Sequence, residues 1–216
     1  MTNDFLIHIV DDEEPVRQSL AFLLAASGWR SRKYASATEF LATAEDLEDA
    51  CLITDLKMSE MNGIDLLRRL RKNGHALPVI VVTGHGDIMA AVDAMKAGAS
   101  DFIEKPFSEE VMLATLTRVC NAAQEENQAR HQRQAAREKL ESLSARETQV
   151  LEGIINGLPN KAIARNLGLS PRTVEVYRAT IMTKMHAHSL AELVRMTVQG
   201  SDQYPTPDQS GHTEIK

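Results

Sequence analysis

CLITDLK, residues 51–57, decides the fold. Four apolar or near-apolar residues lead directly into Asp55. A run this short reads as a buried strand, and a carboxylate at its end is costly unless something pairs with it. The same grammar recurs on both sides. FLIHIV (5–10), SRKY (31–34), PVIVVT (78–83) and DFIEK (101–105) read as four further strands. Between them, apolar residues fall at helical spacing: Val16, Leu20, Leu23 and Leu24, then Ile64, Leu66, Leu67 and Leu70, then Ile88, Val92 and Met95. The SATE of 36–39 is a capping box that should start the second helix, and Gly28, Gly74 and Gly98 stand where helices should stop. Five strands alternating with helices predict a doubly wound parallel sheet covered on both faces, with its site at the carboxyl ends of the strands.

Those ends carry a consistent chemistry. Asp11 and Asp12 close the first strand, Asp55 the third, Thr83 with Gly84 the fourth, and Lys105, ahead of Pro106, the fifth. If strands one, three and four are central, three carboxylates share one crevice and repel unless a cation intervenes. A hard divalent ion on oxygen ligands suits them, Mg²⁺ by preference, with Mn²⁺ as a substitute. Lys105 adds a mobile point charge for an anionic oxygen, Thr83 a hydroxyl and Gly84 room. The set suits phosphoryl transfer with Asp55 as nucleophile. Taken singly, an acid at a strand end is more often a helix cap or solvated, and Asp12 or Glu13 could serve only to cap the first helix.

The second half is different. Residues 1–122 carry 19 Asp/Glu against 12 Lys/Arg, a net −7, whereas 143–200 carry four against seven, a net +3. That asymmetry predicts two domains with different partners, the basic one suited to nucleic acid. The segment 124–139 is polar nearly all round and reads as a solvated helical linker, or else a flexible charged spacer, over 123–142. A capping box at 144–147 opens a new helix, and three more follow at 160–167, 171–185 and 189–198, with Ser170 as a cap before Pro171 at the first helical position. The pair joined by Gly-Leu-Ser-Pro has helix-turn-helix grammar. Its outer faces present Arg172, Thr173, Glu175, Val176, Arg178 and Ala179. Arg172 and Arg178 can reach phosphate or guanine and Glu175 can accept from cytosine, with Lys161, Arg165 and Lys184 as backbone contacts on double-stranded DNA. A helical hairpin with a solvated basic face explains the charge alone equally well. Residues 201–216 read as a disordered tail.

An apolar content of 43% with 25% charged residues is ordinary for a globular protein. No run approaches the roughly 18 apolar residues of a membrane span, and no signal peptide is expected from MTNDFLIHIVDDEE. Two isolated cysteines, Cys51 and Cys120, fit a reducing cytoplasm and no disulfide framework.

VDDEEPVR, TDLKMSEMNG, VVTGHGD and DFIEKPF resemble the receiver domain of bacterial two-component response regulators over about 1–122. SARETQVLEGIINGLPNKAIARNLGLSPRTVEVYRATIMTKM followed by SLAELVRM resembles the LuxR-type helix-turn-helix of the NarL/FixJ regulators, closest to the FixJ subgroup. The resemblance implies a five-stranded parallel sheet of order 2-1-3-4-5 and a four-helix output domain at 143–200. It implies Asp55 as phosphoacceptor from a sensor histidine kinase, with Asp11, Asp12, Asp55 and the carbonyl of Lys57 holding Mg²⁺. Thr83, Gly84 and Lys105 would contact the phosphoryl group, with Thr83 and Phe102 as switch residues. A cis Lys105–Pro106 bond, a homodimer through the fourth helix and fifth strand (87–96 and 103–104), and RNA polymerase as a partner follow by the same resemblance. Ser59 stands where the family usually has proline, and Glu175 where relatives carry a basic residue. His85 and Lys57 flank the phosphoryl position and could tune its lifetime, or equally serve only as surface residues. Two rival classes share some features: a metal-dependent phosphohydrolase, though no insertion supplies a substrate cap, and an adaptor acting through protein contacts.

Overall fold

The computed structural model describes residues 5–43, 47–84 and 88–201. His85, Asp87 and the expected tail beyond 201 lie outside the described residues. The order of elements is β1 (Leu6–Val10), α1 (Glu14–Ala26), β2 (Arg30–Tyr34), α2 (Ala37–Thr43), β3 (Ala50–Asp55), α3 (Gly63–Lys72), β4 (Val79–Thr83), α4 (Ile88–Lys96), β5 (Asp101–Glu104), α5 (Glu109–Glu141), α6 (Ala145–Ile155), α7 (Asn160–Leu167), α8 (Pro171–Met185) and α9 (Leu190–Gly200). The chain divides into two compact units after Glu126.

In the first unit the strands form one parallel sheet, ordered β2-β1-β3-β4-β5. Alternation along each strand feeds two cores. Val10, Leu52, Val79 and Val81 meet Leu66, Leu67 and Leu70 of α3, Phe40 of α2 and Ala94 of α4. Ile7, Ile9, Cys51, Ile53, Ile80 and Val82 face the other way, onto Leu20 and Leu24 of α1 and Met112, Leu116 and Val119 of α5. Each fully buried aliphatic side chain stabilises by roughly 1.5–3 kcal/mol relative to exposure. A sheet buried on both faces is therefore the form in which these runs are most stable. β2 is one edge of the sheet, with only Tyr34 buried, and its Arg30, Arg32 and Lys33 suit a strand that must not recruit another.

Local chemistry sets the ends. Gly28, Gly74 and Gly98 follow α1, α3 and α4 at φ 79°, 83° and 94°, the left-handed region that glycine enters without strain. The Ser36 hydroxyl accepts the Glu39 N–H as foreseen, but the Glu39 carboxylate reaches the N–H of Ala35 rather than of Ser36. α1 has no side-chain cap, so neither Asp12 nor Glu13 plays that part.

The second unit packs α6 to α9 around Val150, Leu151, Ile154, Ile163, Val174, Ile181, Met185 and Leu193. Gly153 is what lets α6 approach α7, because a Cβ there would lie 2.8 Å from Ile163 Cγ1. α5 is one helix of 33 residues, and its second half is not solvated all round. Ala136 is buried, and Gly200 of α9 lies so close that a Cβ would meet the Ala136 carbonyl carbon at 2.8 Å. The sparse apolar pattern of that segment concealed a small-residue contact.

Candidate functional site

β1, β3, β4 and β5 end together, because the register sets Val10 beside Thr54, Asp55 beside Val82 and Thr83 beside Glu104. Asp11, Asp55 and Thr83 are all buried there. Lys105 reaches across: its Nζ lies 2.6 Å from Asp55 Oδ1 and 3.3 Å from Asp11 Oδ2. The Lys57 N–H donates to Asp55 Oδ2 at 2.6 Å. The carboxylate at the end of CLITD is thus held on one oxygen by an ammonium and on the other by an amide, which offsets its desolvation. Asp11 accepts the Glu13 N–H at 2.8 Å, and its carbonyl accepts from Arg17 at 2.7 Å.

Burial pushes the Asp11 carboxyl above its ordinary value, against the Glu13 N–H and the Lys105 charge, which pull it down. Burial alone would lower the Lys105 ammonium, but the hydrogen bond and charge of Asp55, followed by those of Asp11, outweigh it and raise it. The site therefore holds a fixed cation between two acids at neutral pH.

Asp12 is exposed, and its Oδ2 accepts the Ser59 N–H at 3.2 Å. The departure at Ser59 now has a physical content, since the proline usual there has no N–H to donate. Thr83 Oγ1 donates to the Gly84 carbonyl at 3.4 Å. Phe102 is 42% exposed and lines a cavity of about 240 Å³ with Thr83, Gly84, Ala91, Val92, Met95 and Glu104. The Lys105–Pro106 bond is cis. Among the described residues no three acids, histidines or cysteines form a ready-made metal cluster, and the Lys105 ammonium stands between the two buried carboxylates.

Sequence reasoning missed Arg17, the amide of Ser59 and Gly63. A Cβ on Gly63 would sit 2.4 Å from the Asp55 carbonyl oxygen, so α3 can start against the end of β3 only with glycine there. The NG of TDLKMSEMNG was the available signal. The N–H of Gly63 bonds the Leu56 carbonyl and Asn62 caps the helix at the Asp65 N–H.

In the second unit Ser170 caps α8 with Pro171 behind it, and α7 ends at Gly168 with φ 66°. Lys161, Arg165, Arg172, Glu175, Val176 and Ala179 are exposed, while Thr173 and Arg178 are half-buried. The Thr173 hydroxyl lies 2.8 Å from that of Ser170. Lys184 differs from the rest: its Nζ lies 2.8 Å from Glu147 Oε2 and 3.4 Å from the Ser142 carbonyl oxygen. No described helix is long and apolar enough to cross a membrane.

The response regulator receiver domain matches residues 7–117, and the luxR family of bacterial regulatory proteins matches residues 141–197. The chain is 49% identical to the transcriptional regulatory protein FixJ of Rhizobium meliloti (strain 1021) over 197 residues, 91% of this chain and 97% of that protein. Among solved structures, the response regulator StyR superposes with a TM-score of 0.81 at 38% identity, covering 89% of this chain and 97% of that one. Full-length FixJ from B. japonicum gives 0.58 at 40% identity, covering 91% and 97%. The likeness to these proteins thus runs along nearly their whole length. The chain belongs to the two-component response regulators, as a FixJ-like member joining a receiver to a LuxR-type helix-turn-helix, the build of a DNA-binding transcriptional regulator.

Proposed function

We propose that Asp55 accepts a phosphoryl group from a sensor histidine kinase and that this switches DNA binding by the output domain. The observation that carries the reading is the meeting of Asp55 and Lys105 at 2.6 Å, in a buried crevice whose other wall is Asp11 and Thr83. A carboxylate oxygen of Asp55 forms the new P–O bond as the P–N bond of the kinase phosphohistidine breaks. The imidazole nitrogen leaves with the electron pair and takes up a proton. Lys105, 2.6 Å from Asp55 Oδ1, would follow negative charge from the carboxylate to the phosphoryl oxygens, and the Thr83 hydroxyl and Gly84 N–H would donate to the same group. Asp11, Asp12 and Asp55, with the carbonyl of Lys57, are the hard oxygen donors that would hold Mg²⁺ or Mn²⁺, whose charge would offset that of the incoming group.

The output of the switch is a homodimer. α4 and β5 expose Met89, Val92, Met95 and Phe102, an apolar patch beside the cavity that reaches Thr83. A phosphoryl group that draws the Thr83 hydroxyl inward leaves room for the Phe102 ring to follow, which reshapes that patch. The paired chains bind two half-sites on double-stranded DNA through Arg172, Thr173, Glu175, Val176 and Arg178, with Lys161 and Arg165 on the backbone, and act on RNA polymerase in the cytoplasm.

Labelling with acetyl phosphate and Mg²⁺ tests the reading. One stable equivalent of acyl phosphate should form on the wild type and none on Asp55→Asn. Continuous turnover without a stable adduct would make the protein a phosphohydrolase.

A further inference from the structure

Glu147 is placed in the sequence only as the third residue of a capping box, and Lys184 reads as a phosphate contact. The structure joins them. The Ser144 N–H donates to Glu147 Oε2 at 2.6 Å, and the Glu147 N–H donates to the Ser144 hydroxyl at 3.3 Å, which completes the box. The same Oε2 also takes the Lys184 ammonium at 2.8 Å. The Lys184 side chain is 38% exposed and that of Glu147 is 6% exposed. A second donation, at 3.4 Å, carries Lys184 to the carbonyl of Ser142, just past the end of α5. Lys184 stands in the last turn of α8, while the residues that face DNA stand in the first half of that helix. One ammonium therefore ties the far end of the recognition helix to the start of α6 and to the residue that closes α5.

We propose that Lys184 and Glu147 are positioning residues for DNA recognition: the pair fixes the tilt of α8 on α6, and Lys184 holds no phosphate. This proposal stands against the expectation that Lys184 touches the DNA backbone, and it rests on the ammonium already pairing with Glu147 at 2.8 Å. A half-buried ion pair with two additional hydrogen bonds resists rotation of the helix about its packed face. A small rotation there would displace Arg172 and Arg178, a full helical turn or more away, from a base edge. The proposal rests on the DNA-binding reading and deepens it.

Removing each charge of the pair separately makes the test decisive. Binding of the full-length chain to a duplex selected by it from a random pool is measured over a salt series, for wild type, Lys184→Met, Glu147→Gln and the double variant. Circular dichroism at the assay temperature confirms that each chain is folded. Each single variant should weaken binding about tenfold, and the double should be no weaker than either single. The slope of log affinity against log salt should stay as in wild type. Glu147→Gln removes a negative charge, which on simple electrostatics would tighten binding, so its weakening distinguishes positioning from contact. A salt slope reduced by about one unit in Lys184→Met would make Lys184 a phosphate contact and overturn the proposal. Unchanged or tighter binding by Glu147→Gln would overturn it as well. If Lys184→Met does not fold, Glu147→Gln decides alone, because glutamine keeps the capping box. A wild-type chain that selects no duplex would overturn the DNA-binding reading, and this proposal with it.

Discussion

Gly63 illustrates how a residue with no side chain can govern a charged site. The obstacle to any larger residue is backbone, the carbonyl oxygen of Asp55 itself, 2.4 Å from where a Cβ would be. Backbone at the end of a central strand cannot yield as a flexible side-chain tip can. Gly63→Ala should push β3 and α3 apart, with a loss of roughly 1–3 kcal/mol, the usual cost of overpacking. Because Asp55 would move with its carbonyl, the Lys105 contact at 2.6 Å should lengthen and acetyl phosphate labelling should slow. Urea unfolding followed by labelling of the folded variant measures both effects. A variant as stable and as quickly labelled as wild type would show that the close approach relaxes without consequence. Arg71 makes a related link between elements, donating to the His75 carbonyl at 2.8 Å and to the Gly98 carbonyl at 2.9 Å. It ties the end of α3 to the turn after α4.

α4 and β5 are where elements rather than residues carry the proposed switch. Met95 is 43% exposed on α4 and lines the cavity below Phe102. Met95→Glu would place a carboxylate in the apolar face, and a symmetric dimer would carry it twice. Dimerisation after acetyl phosphate treatment should weaken by roughly a hundredfold, read by sedimentation, with labelling of Asp55 unchanged. A dimer of unaltered strength would move the interface elsewhere on the receiver. The elements themselves were largely legible. β1, β3 and β4 were visible as apolar runs, and β3 and β4 sit within a residue or two of where CLIT and PVIVVT place them. The acids, Thr83 and Lys105 were legible for a related reason: parallel strands deliver their carboxyl ends to one edge, so residues far apart in sequence converge once the order is known. What stayed hidden depends on partners that periodicity does not name. Glu147 and Lys184 are 37 residues apart, and each fits a local pattern that explains it without the other. The amide of Ser59 reaching Asp12 across 47 residues is equally invisible. The Ala136–Gly200 contact escapes because close packing of small residues leaves no apolar stripe.

At the scale of the whole molecule, acid should affect the two units differently. His8 is buried in the receiver between Tyr34 and Phe40, its Nδ1 2.9 Å from the Tyr34 hydroxyl and its Nε2 without a hydrogen-bond partner. Burial, with the Arg32 charge, lowers its pKa from 6.5 to about 4. A histidine that binds its proton more readily when unfolded leaves stability complete above 6.5 and removes it as pH falls toward 4, by up to about 3 kcal/mol. Glu147 in the output domain behaves in the opposite register. The Lys184 hydrogen bond, then those of Ser144, lower its carboxyl from 4.5 to about 2. Its folded value lies below its unfolded one, so that stabilisation is complete above 4.5 and is lost only as pH falls toward 2. The receiver should therefore weaken between pH 6.5 and 4 while the output domain still keeps its acid-resistant pair. Trp29 is the single tryptophan and lies buried in the receiver core, so its fluorescence reports that unit alone, whereas far-ultraviolet circular dichroism reports both. Thermal melts at pH 7 and pH 5 should show the fluorescence midpoint falling further than the midpoint of the remaining helical signal. His8→Leu should flatten the fluorescence shift, even though loss of the Tyr34 partner lowers stability at both values. Equal displacement of the two midpoints in wild type, or an undiminished shift in His8→Leu, would mean that His8 does not set the acid limit of the receiver, and the raised carboxyl of Asp11 runs the wrong way to replace it: a buried acid that prefers its proton favours the fold as pH falls.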